Sequence, residues 1–332
     1  MQLESRGSQA RAVRAWLPRA GGLVEQGPGR LPRRKLSRRQ REALAAYLFL
    51  LPWLVGMVGI TLGPMLASLW ISFTRYNLLS PPHWIGLGNY DALLHDSLFA
   101  SAVKVTLLYV GVSVPIQIGF ALFLAVLLNR GMKALGLVRA VYYIPSLLGS
   151  SVAIAIVWRT LFGYDGTVDR VVELFGWHNP PAWIDDPHTA VYTLVVLAAW
   201  QFGAPMIIFL AGLRNIPKEL YEAADVDGAH RWLQFRRITL PLLSPLILFN
   251  LVLQVIGSFQ AFTPAYVISG GTGGPASSTL FYTLYLYQEA FGQLDMGYGS
   301  AMAWVLLVAI VAVTAAIFAT SRRWVFYMDR QA

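Results

Sequence analysis

The 332-residue sequence contains no cysteine. Disulfides, thiolate nucleophiles and cysteine-ligated metals are thereby excluded. Its five histidines, His83, His95, His178, His188 and His230, show no metal-ligand spacing, which argues against a metalloenzyme. Charge is scarce as well: 13% of residues are Asp, Glu, Lys or Arg, and 56% are hydrophobic. A soluble domain carries about a quarter charged residues, so the bilayer is the expected solvent. The chain also lacks G-x-x-x-x-G-K-[ST], the loop that cradles nucleotide phosphates, so by that route it cannot hydrolyse ATP itself.

The net charge of +9 suggests nucleic acid until it is located. Residues 1–42 hold 11 of the 26 basic residues and 3 of the 17 acidic ones, leaving a nearly neutral body. This Arg-, Gly- and Pro-rich tail is too poor in apolar residues to bury a core, and we expect it to be disordered and cytoplasmic, near anionic lipid rather than nucleic acid. A signal peptide is not expected, because the first apolar run starts only after residue 42 and is too long for one.

Runs without Asp, Glu, Lys or Arg cover Ala43 to Thr74, Val105 to Asn129, Ala140 to Trp158, Pro187 to Leu213, Ile238 to Gln288 and Met296 to Ser321. A spanning helix needs roughly 20 apolar residues, so each run supplies one span. The fifth is long enough for two, but "SGGTGGPASS" (Ser269 to Ser278) interrupts it with turn-forming residues. The expectation is an all-α, polytopic protein of six transmembrane helices over residues 43–327. A short C-terminus, residues 328–332, follows.

Orientation follows from Lys and Arg. With a cytoplasmic N-terminus, the inner segments hold the tail, Arg130, Lys133 and Arg139, then Arg214, Lys218, Arg231, Arg236 and Arg237, and finally Arg322, Arg323 and Arg330. Only Arg75, Lys104, Arg159 and Arg170 fall outside, so both termini are expected in the cytoplasm. The expected spans contain no carboxylate. Ionisable groups within spans are costly and usually functional, so a proton-coupled carrier is disfavoured. If transport is driven, a partner supplies the energy.

One polar stretch breaks the apolar pattern: "ELYEAADVDGAHRWLQFRRITLPLLSP", Glu219 to Pro245. Asn215 is expected to cap a helix of about 12 residues whose first turn contains Pro217 and Glu219, and which extends about 18 Å to a left-handed stop at Gly228. A second short segment, "AHRWLQFRRI", follows with Trp232 and Phe235 on one side. Pro241 marks the entrance to the fifth span. Two readings are open on physical grounds: an amphipathic helix among lipid heads, or a rigid knob that a cytoplasmic partner can push.

Glu222, Ala223, Ala224, Gly228, Ile238, Leu240 and Pro241 fit the pattern E-A-A-x3-G-x9-I-x-L-P at every defined position. This resembles the EAA loop of permease subunits from bacterial ATP-binding-cassette importers. "RAVYYIPSLL", "AAWQFGAPMIIFLAGLRNIPKELYEAA" and "MGYGSAMAW" are similar to the carbohydrate-uptake branch, in particular a maltose-permease-like first subunit. The resemblance implies type I importer permease architecture and a multi-pass protein of the bacterial inner membrane, with the EAA coupling loop at residues 214–241. It implies no enzyme activity and no cofactor in this chain, with ATP and Mg bound by two partner ATPase subunits. A second homologous permease, an extracytoplasmic sugar-binding protein and membrane lipid would be the other partners; nucleic acid would not. Glu222, Ala223, Ala224 and Gly228 would be the docking and turning positions. Ala permits close approach, Glu222 can accept a charge-assisted hydrogen bond, and Gly228 lets the chain reverse.

In the fifth span Asn250, Gln254 and Ser258 recur at four-residue spacing and share one helix face. Unpaired amides are costly in hydrocarbon, so that face should meet protein or water, as interhelical glue or as pathway lining. Similarity to the maltose permease around "GSFQAF" adds Gln260 to Ser258 as a sugar-site position. "FYTLYLY", Phe281 to Tyr287, reads as an aromatic belt at the membrane interface. The small residues of "MGYGSAMA" read as packing positions, and Asp185-Asp186 as solvated loop charge. An importer for glycerol phosphate or another polyol is an alternative. A self-sufficient carrier or channel, and a membrane-anchored scaffold, are others.

Overall fold

The computed structural model describes residues 37–129, 135–149, 151–177 and 180–326. The basic tail up to residue 36, Arg130 and Lys133 of the first inner loop, and the last six residues lie outside them.

The chain divides into two units at Val58/Gly59. The first contains α1, Arg38–Gly56, which opens with a reciprocal cap: the Gln40 N–H donates to Ser37 Oγ, and the Ser37 N–H to Gln40 Oε1. Its leucines and aromatics are exposed, Phe49 at 85%. A π-helical turn, Met57–Leu62, spans the division.

In the second unit α2 (Gly63–Ile71) leads into a two-residue hairpin, β1 (Thr74–Arg75) against β2 (His83–Trp84), then α3 (Gly88–His95). The central element is α4, Ser97–Leu128. At 1.5 Å per residue its 32 residues reach about 48 Å, well beyond a hydrocarbon core of about 30 Å. Apolar burial does not drive helices together in lipid, so close contact depends on small and hydrogen-bonding residues. The inward face of α4 provides them in Ala102, Thr106, Ser113, Gln117, Ala121 and Ala125, all buried.

After α4 the chain forms α5 (Leu135–Leu148), α6 (Val152–Phe162) and α7 (Thr167–Leu174), then α8 (Ala190–Trp200) and α9 (Gly203–Arg214). The short helices α10 (Glu219–Val226) and α11 (Arg231–Gln234) precede α12 (Leu240–Phe259), α13 (Thr263–Ile268), α14 (Tyr282–Tyr287) and α15 (Met296–Ser321). Helices α8, α9 and α12 make the main packing against α4. Close packing is visible at Gly212, where an added Cβ would stand 2.2 Å from Leu246 Cδ1, and at Gly299, where it would stand 2.6 Å from Ala290 Cβ.

Among the described residues four helical stretches are long and apolar enough to cross a membrane: Arg38–Ile71, Ser97–Leu128, Arg231–Ile268 and Met296–Ser321. Two bent pairs bring the number to six if each is one span. Val141–Leu148 and Val152–Phe162 meet at 99°, and Ala190–Trp200 and Gly203–Arg214 at 42°. Counted so, the six apolar runs are matched, two of them by helix pairs bent by more than 40°.

Four local expectations are corrected. Asn215 does not cap α10; it ends α9. Ile216 is buried in the core, and a residue before proline disfavours helix, so the next helix starts only after Pro217. In consequence α10 has eight residues rather than about 12. The segment after Gly228 is no separate helix either, because α11 runs through a π-helical turn, Phe235–Thr239, directly into α12. The fifth span therefore begins at Arg231, and Pro241 sits inside it. Finally, "FYTLYLY" is core and not an interface belt. Phe281, Tyr282, Leu284 and Tyr285 are buried, and the Tyr282 hydroxyl donates to the Met302 carbonyl at 2.8 Å. Hydroxyls that find partners inside remove the reason for a Tyr to seek the lipid heads.

Candidate functional site

Two places in the second unit gather polar groups against an apolar background: a cavity beside the middle of α4, and the elbow formed by α10, Gly228 and α11.

The cavity holds about 330 Å³ and is lined by Tyr109 and Gln117 of α4, Ala198 and Gln201, Gln254, Gly257 and Ser258 of α12, and the stretch Gln260 to Pro264. It lies where two helices break. Between α8 and α9 the chain leaves helical geometry at Gln201, and between α12 and α13 at Gln260 to Phe262. Non-helical backbone at membrane depth is tolerated where it is covered by protein or lines a cavity. Both breaks satisfy this. The Gln201 carbonyl accepts from Gln117 Nε2 at 3.1 Å and from Ser146 Oγ at 2.9 Å, and Ser146 Oγ in turn accepts the Ala204 N–H at 2.9 Å. The Ala261 carbonyl accepts from Thr283 Oγ1 at 2.5 Å. Gly203 makes the first junction possible: an added Cβ would stand 2.4 Å from the Tyr142 carbonyl oxygen.

Chemically the lining is amide and hydroxyl. Gln117, Gln201, Gln254 and Gln260 each offer donors and an acceptor, Ser258 and Thr263 add hydroxyls, and Tyr109 and Phe262 add ring faces. Among the described residues no charged side chain lines it. Such a surface can hydrogen-bond a polyhydroxylated, uncharged molecule through either role of each hydroxyl.

Of the residues singled out on the fifth span, Gln254, Ser258 and Gln260 meet at this cavity. Asn250 does not line it; it is 2% exposed and donates from Nδ2 to the Leu246 carbonyl at 2.9 Å, within its own helix. Gln117, Gln201 and Ser146 were missed. An amide in an otherwise apolar run is the signal that could have found Gln117 and Gln201.

In the elbow, α10 is solvent-facing: Glu222 and Ala223 are exposed, Ala224 is half-buried, and Val226 is 89% exposed. Gly228 has φ +73°, and a Cβ added to it would meet nothing within 4 Å, so its glycine is required by backbone conformation and not by space. The Ala229 N–H reaches back to the Ala224 carbonyl at 2.8 Å, and the Gly228 N–H to that of Asp225 at 3.0 Å, closing the helix end. Side chains then fix the angle. Gln234 Nε2 donates to Asp225 Oδ1 at 2.5 Å and to the Ala229 carbonyl at 2.9 Å, and the Tyr221 and Thr239 hydroxyls meet at 2.9 Å. The elbow is thus a locally stapled unit whose second half continues through a π-helical turn into α12.

At the opposite end of α4, Asp96 accepts from the Tyr285 hydroxyl at 2.5 Å, the Tyr298 hydroxyl at 2.6 Å and the Leu98 N–H at 2.8 Å. Partial burial alone would raise its carboxyl, but these hydrogen bonds outweigh it and hold the group below its ordinary value. The neighbouring Glu289 is pushed up, first by burial and then by the negative charges of Asp96 and Asp295.

Residues 102–327 match the family of binding-protein-dependent transport system inner membrane components. The chain is 47% identical over 293 residues to the "Probable ABC transporter permease protein YesP" of Bacillus subtilis (strain 168), covering 88% of this chain and 95% of that protein. It is 35% identical over 274 residues to the "Arabinooligosaccharides transport system permease protein AraP" of the same organism, covering 81% and 86%. In fold it is similar to a chain of the bacterial alginate ABC transporter in complex with an alginate pentasaccharide-bound periplasmic protein, with a TM-score of 0.74 and 22% identity over 87% of this chain and 97% of that one. The chain belongs to the inner-membrane permease family of binding-protein-dependent ABC transport systems.

Proposed function

We propose that this permease forms half of the passage for a sugar or oligosaccharide, the other half coming from a second, homologous permease. The observation that carries the reading is the cavity at the two helix breaks, whose four glutamine amides and two hydroxyls present no charge. Gln254, Ser258 and Gln260 would contact the sugar together with Gln117 and Gln201, while Asn250 would secure the helix behind them. A phosphorylated polyol would want a cation in that lining, and the relative named for arabinooligosaccharides points the same way. An extracytoplasmic binding protein would deliver the sugar.

Energy would come from two ATPase subunits that bind ATP and Mg, with no cofactor in this chain. Glu222, Ala223, Ala224 and Gly228 would form the docking surface, within the coupling loop of residues 214–241. The continuity of the elbow with α12 supports this: a push on α10 is carried into the helix bearing Gln254 and Ser258 without an intervening flexible joint. Both termini would then lie in the cytoplasm, residues 43–327 being the membrane domain, with the basic tail 1–42 before it and residues 328–332 after it.

Reconstitution in proteoliposomes tests the proposal. With both permeases, the ATPase and the binding protein present, ATP-dependent uptake of an oligosaccharide is expected, and Glu222→Arg should abolish it while removing the ATPase from the purified complex. Solute flux through this chain alone, without ATP or partners, would contradict the proposal.

A further inference from the structure

The elbow has two chemically opposite halves. α10 is acidic, with Glu219, Glu222 and Asp225 on an exposed surface. The half after Gly228 is basic and aromatic: Arg231, Arg236 and Arg237 are exposed, and Trp232, itself 66% exposed, stacks on Phe235 with ring centroids 5.6 Å apart. Among the described residues none of these three arginines makes an ion pair; the pairs present are Arg38–Glu42, His95–Asp91 and Arg170–Asp165.

This basic half borders an open groove of about 960 Å³. One wall is the C-terminal part of α4, with Gly119, Leu122, Phe123 and Val126, where Phe123 is 62% exposed and Gly119 has free space over its Cα. The other wall is Arg231, Trp232 and Phe235. Along the groove the chemistry changes from apolar side chains within a membrane span to a guanidinium, an indole and the Asn129 cap at that span's end. Hydrocarbon on one side and unpaired positive charge on the other complement one class of amphiphile.

We propose that this groove binds an anionic phospholipid, its phosphate on Arg231 with Arg236 and Arg237 adding to the field, and an acyl chain along Leu122, Phe123 and Val126. Indole and guanidinium at the level of the head groups, with the apolar wall below, match how such residues seat at a membrane interface. The acidic α10 repels the same head groups and stays in water, free for a protein partner. The two physical readings of this stretch, lipid-facing helix and partner-facing knob, thus apply to its two halves. The proposal does not depend on what docks at α10.

The test is native mass spectrometry of the assembled transporter from nanodiscs containing phosphatidylglycerol and phosphatidylethanolamine. The wild type should retain phosphatidylglycerol preferentially. Each basic residue at a lipid surface is worth about fivefold in affinity, so Arg231→Gln should reduce that preference roughly fivefold and the triple change with Arg236→Gln and Arg237→Gln roughly 100-fold. Arg231→Lys should keep it, and excess inorganic phosphate should not displace the lipid. Unaltered phosphatidylglycerol retention in the triple variant, or displacement by phosphate, would overturn the proposal. Should the triple variant fail to assemble, a photo-crosslinking amino acid at position 232 in the otherwise native chain decides. A lipid adduct supports the site, and an adduct to the ATPase or to a second permease rejects it.

Discussion

The cavity and the elbow both depend on a broken helix, and they handle the break in opposite ways. At Gln201 the freed carbonyl is caught by side chains from two other helices, Gln117 on α4 and Ser146 on α5. At Gly228 the break is closed by its own neighbours, through backbone bonds to Ala224 and Asp225 and the short-range staple of Gln234. The first break therefore ties helices together, and a change there is felt across the bundle. The second is self-contained and can move as a piece.

Substitutions should separate the two kinds of break. The largest effect is expected at Gly203. A side chain there would collide with the Tyr142 carbonyl, and forcing extra volume into a packed contact costs about 1–3 kcal/mol or more. Gly203→Leu should lower the thermal midpoint of the detergent-solubilised protein and abolish uptake. At Gly228 the penalty is conformational: a left-handed non-glycine residue costs about 1–2 kcal/mol, more for a β-branched one. Gly228→Val should therefore impair uptake and ATPase binding with little change in the midpoint of the bundle, and Gly228→Asn should restore much of both. If Gly228→Val destabilised the bundle as strongly as Gly203→Leu, the elbow would not be self-contained.

Smaller effects sharpen the same comparison. Gln117→Leu removes one of the two bonds to the Gln201 carbonyl, and such interhelical bonds in membranes average about 0.6 kcal/mol. A modest loss of stability with a raised KM for uptake is expected, because the amide also lines the cavity. Tyr221→Phe removes the contact with Thr239, for about 0.5–1.5 kcal/mol, and should lower transport per ATP hydrolysed without changing sugar affinity.

The smallest effect belongs to the far end of α4. The Glu289 carboxyl is raised on folding, so its ionisation opposes the fold, and that contribution to stability is present below its ordinary pKa and lost as pH rises through the raised value. Asp96 is lowered, so its contribution is present above its ordinary pKa and lost as pH falls through the lowered value. Glu289→Gln should thus raise the thermal midpoint slightly at neutral pH and not in acid, and Asp96→Asn should lower it at neutral pH.

Much of the bundle was legible in the sequence because hydrocarbon allows few alternatives. Apolar runs free of charge had to be spans, and Gly228 between a helix former and a second polar segment had to be a reversal. What escaped were features set by tertiary contact. The burial of Ile216 fixes where α10 begins, and no local pattern reports it. Phe281 to Tyr287 have the composition of an interface belt, and only burial and hydroxyl partners, such as Met302 for Tyr282, reveal Phe281, Tyr282, Leu284 and Tyr285 as core. In the cavity, Gln254 and Ser258 were marked by helical spacing on one span. Gln117 and Gln201 lie on other spans, and it is the folded break at Gln201 that brings them to the same place.

On the proposed function, α10 is the surface through which a partner's motion enters the permease. Since the chain has no cysteine, Ala223→Cys carries a unique thiol on that surface. Labelling it with a thiol-linked photo-crosslinker in membranes containing the assembled transporter gives the direct test. The account predicts a single protein adduct, to the ATPase subunit, whose yield changes when ATP is added. Adducts to lipid alone, or a protein adduct indifferent to ATP, would contradict it.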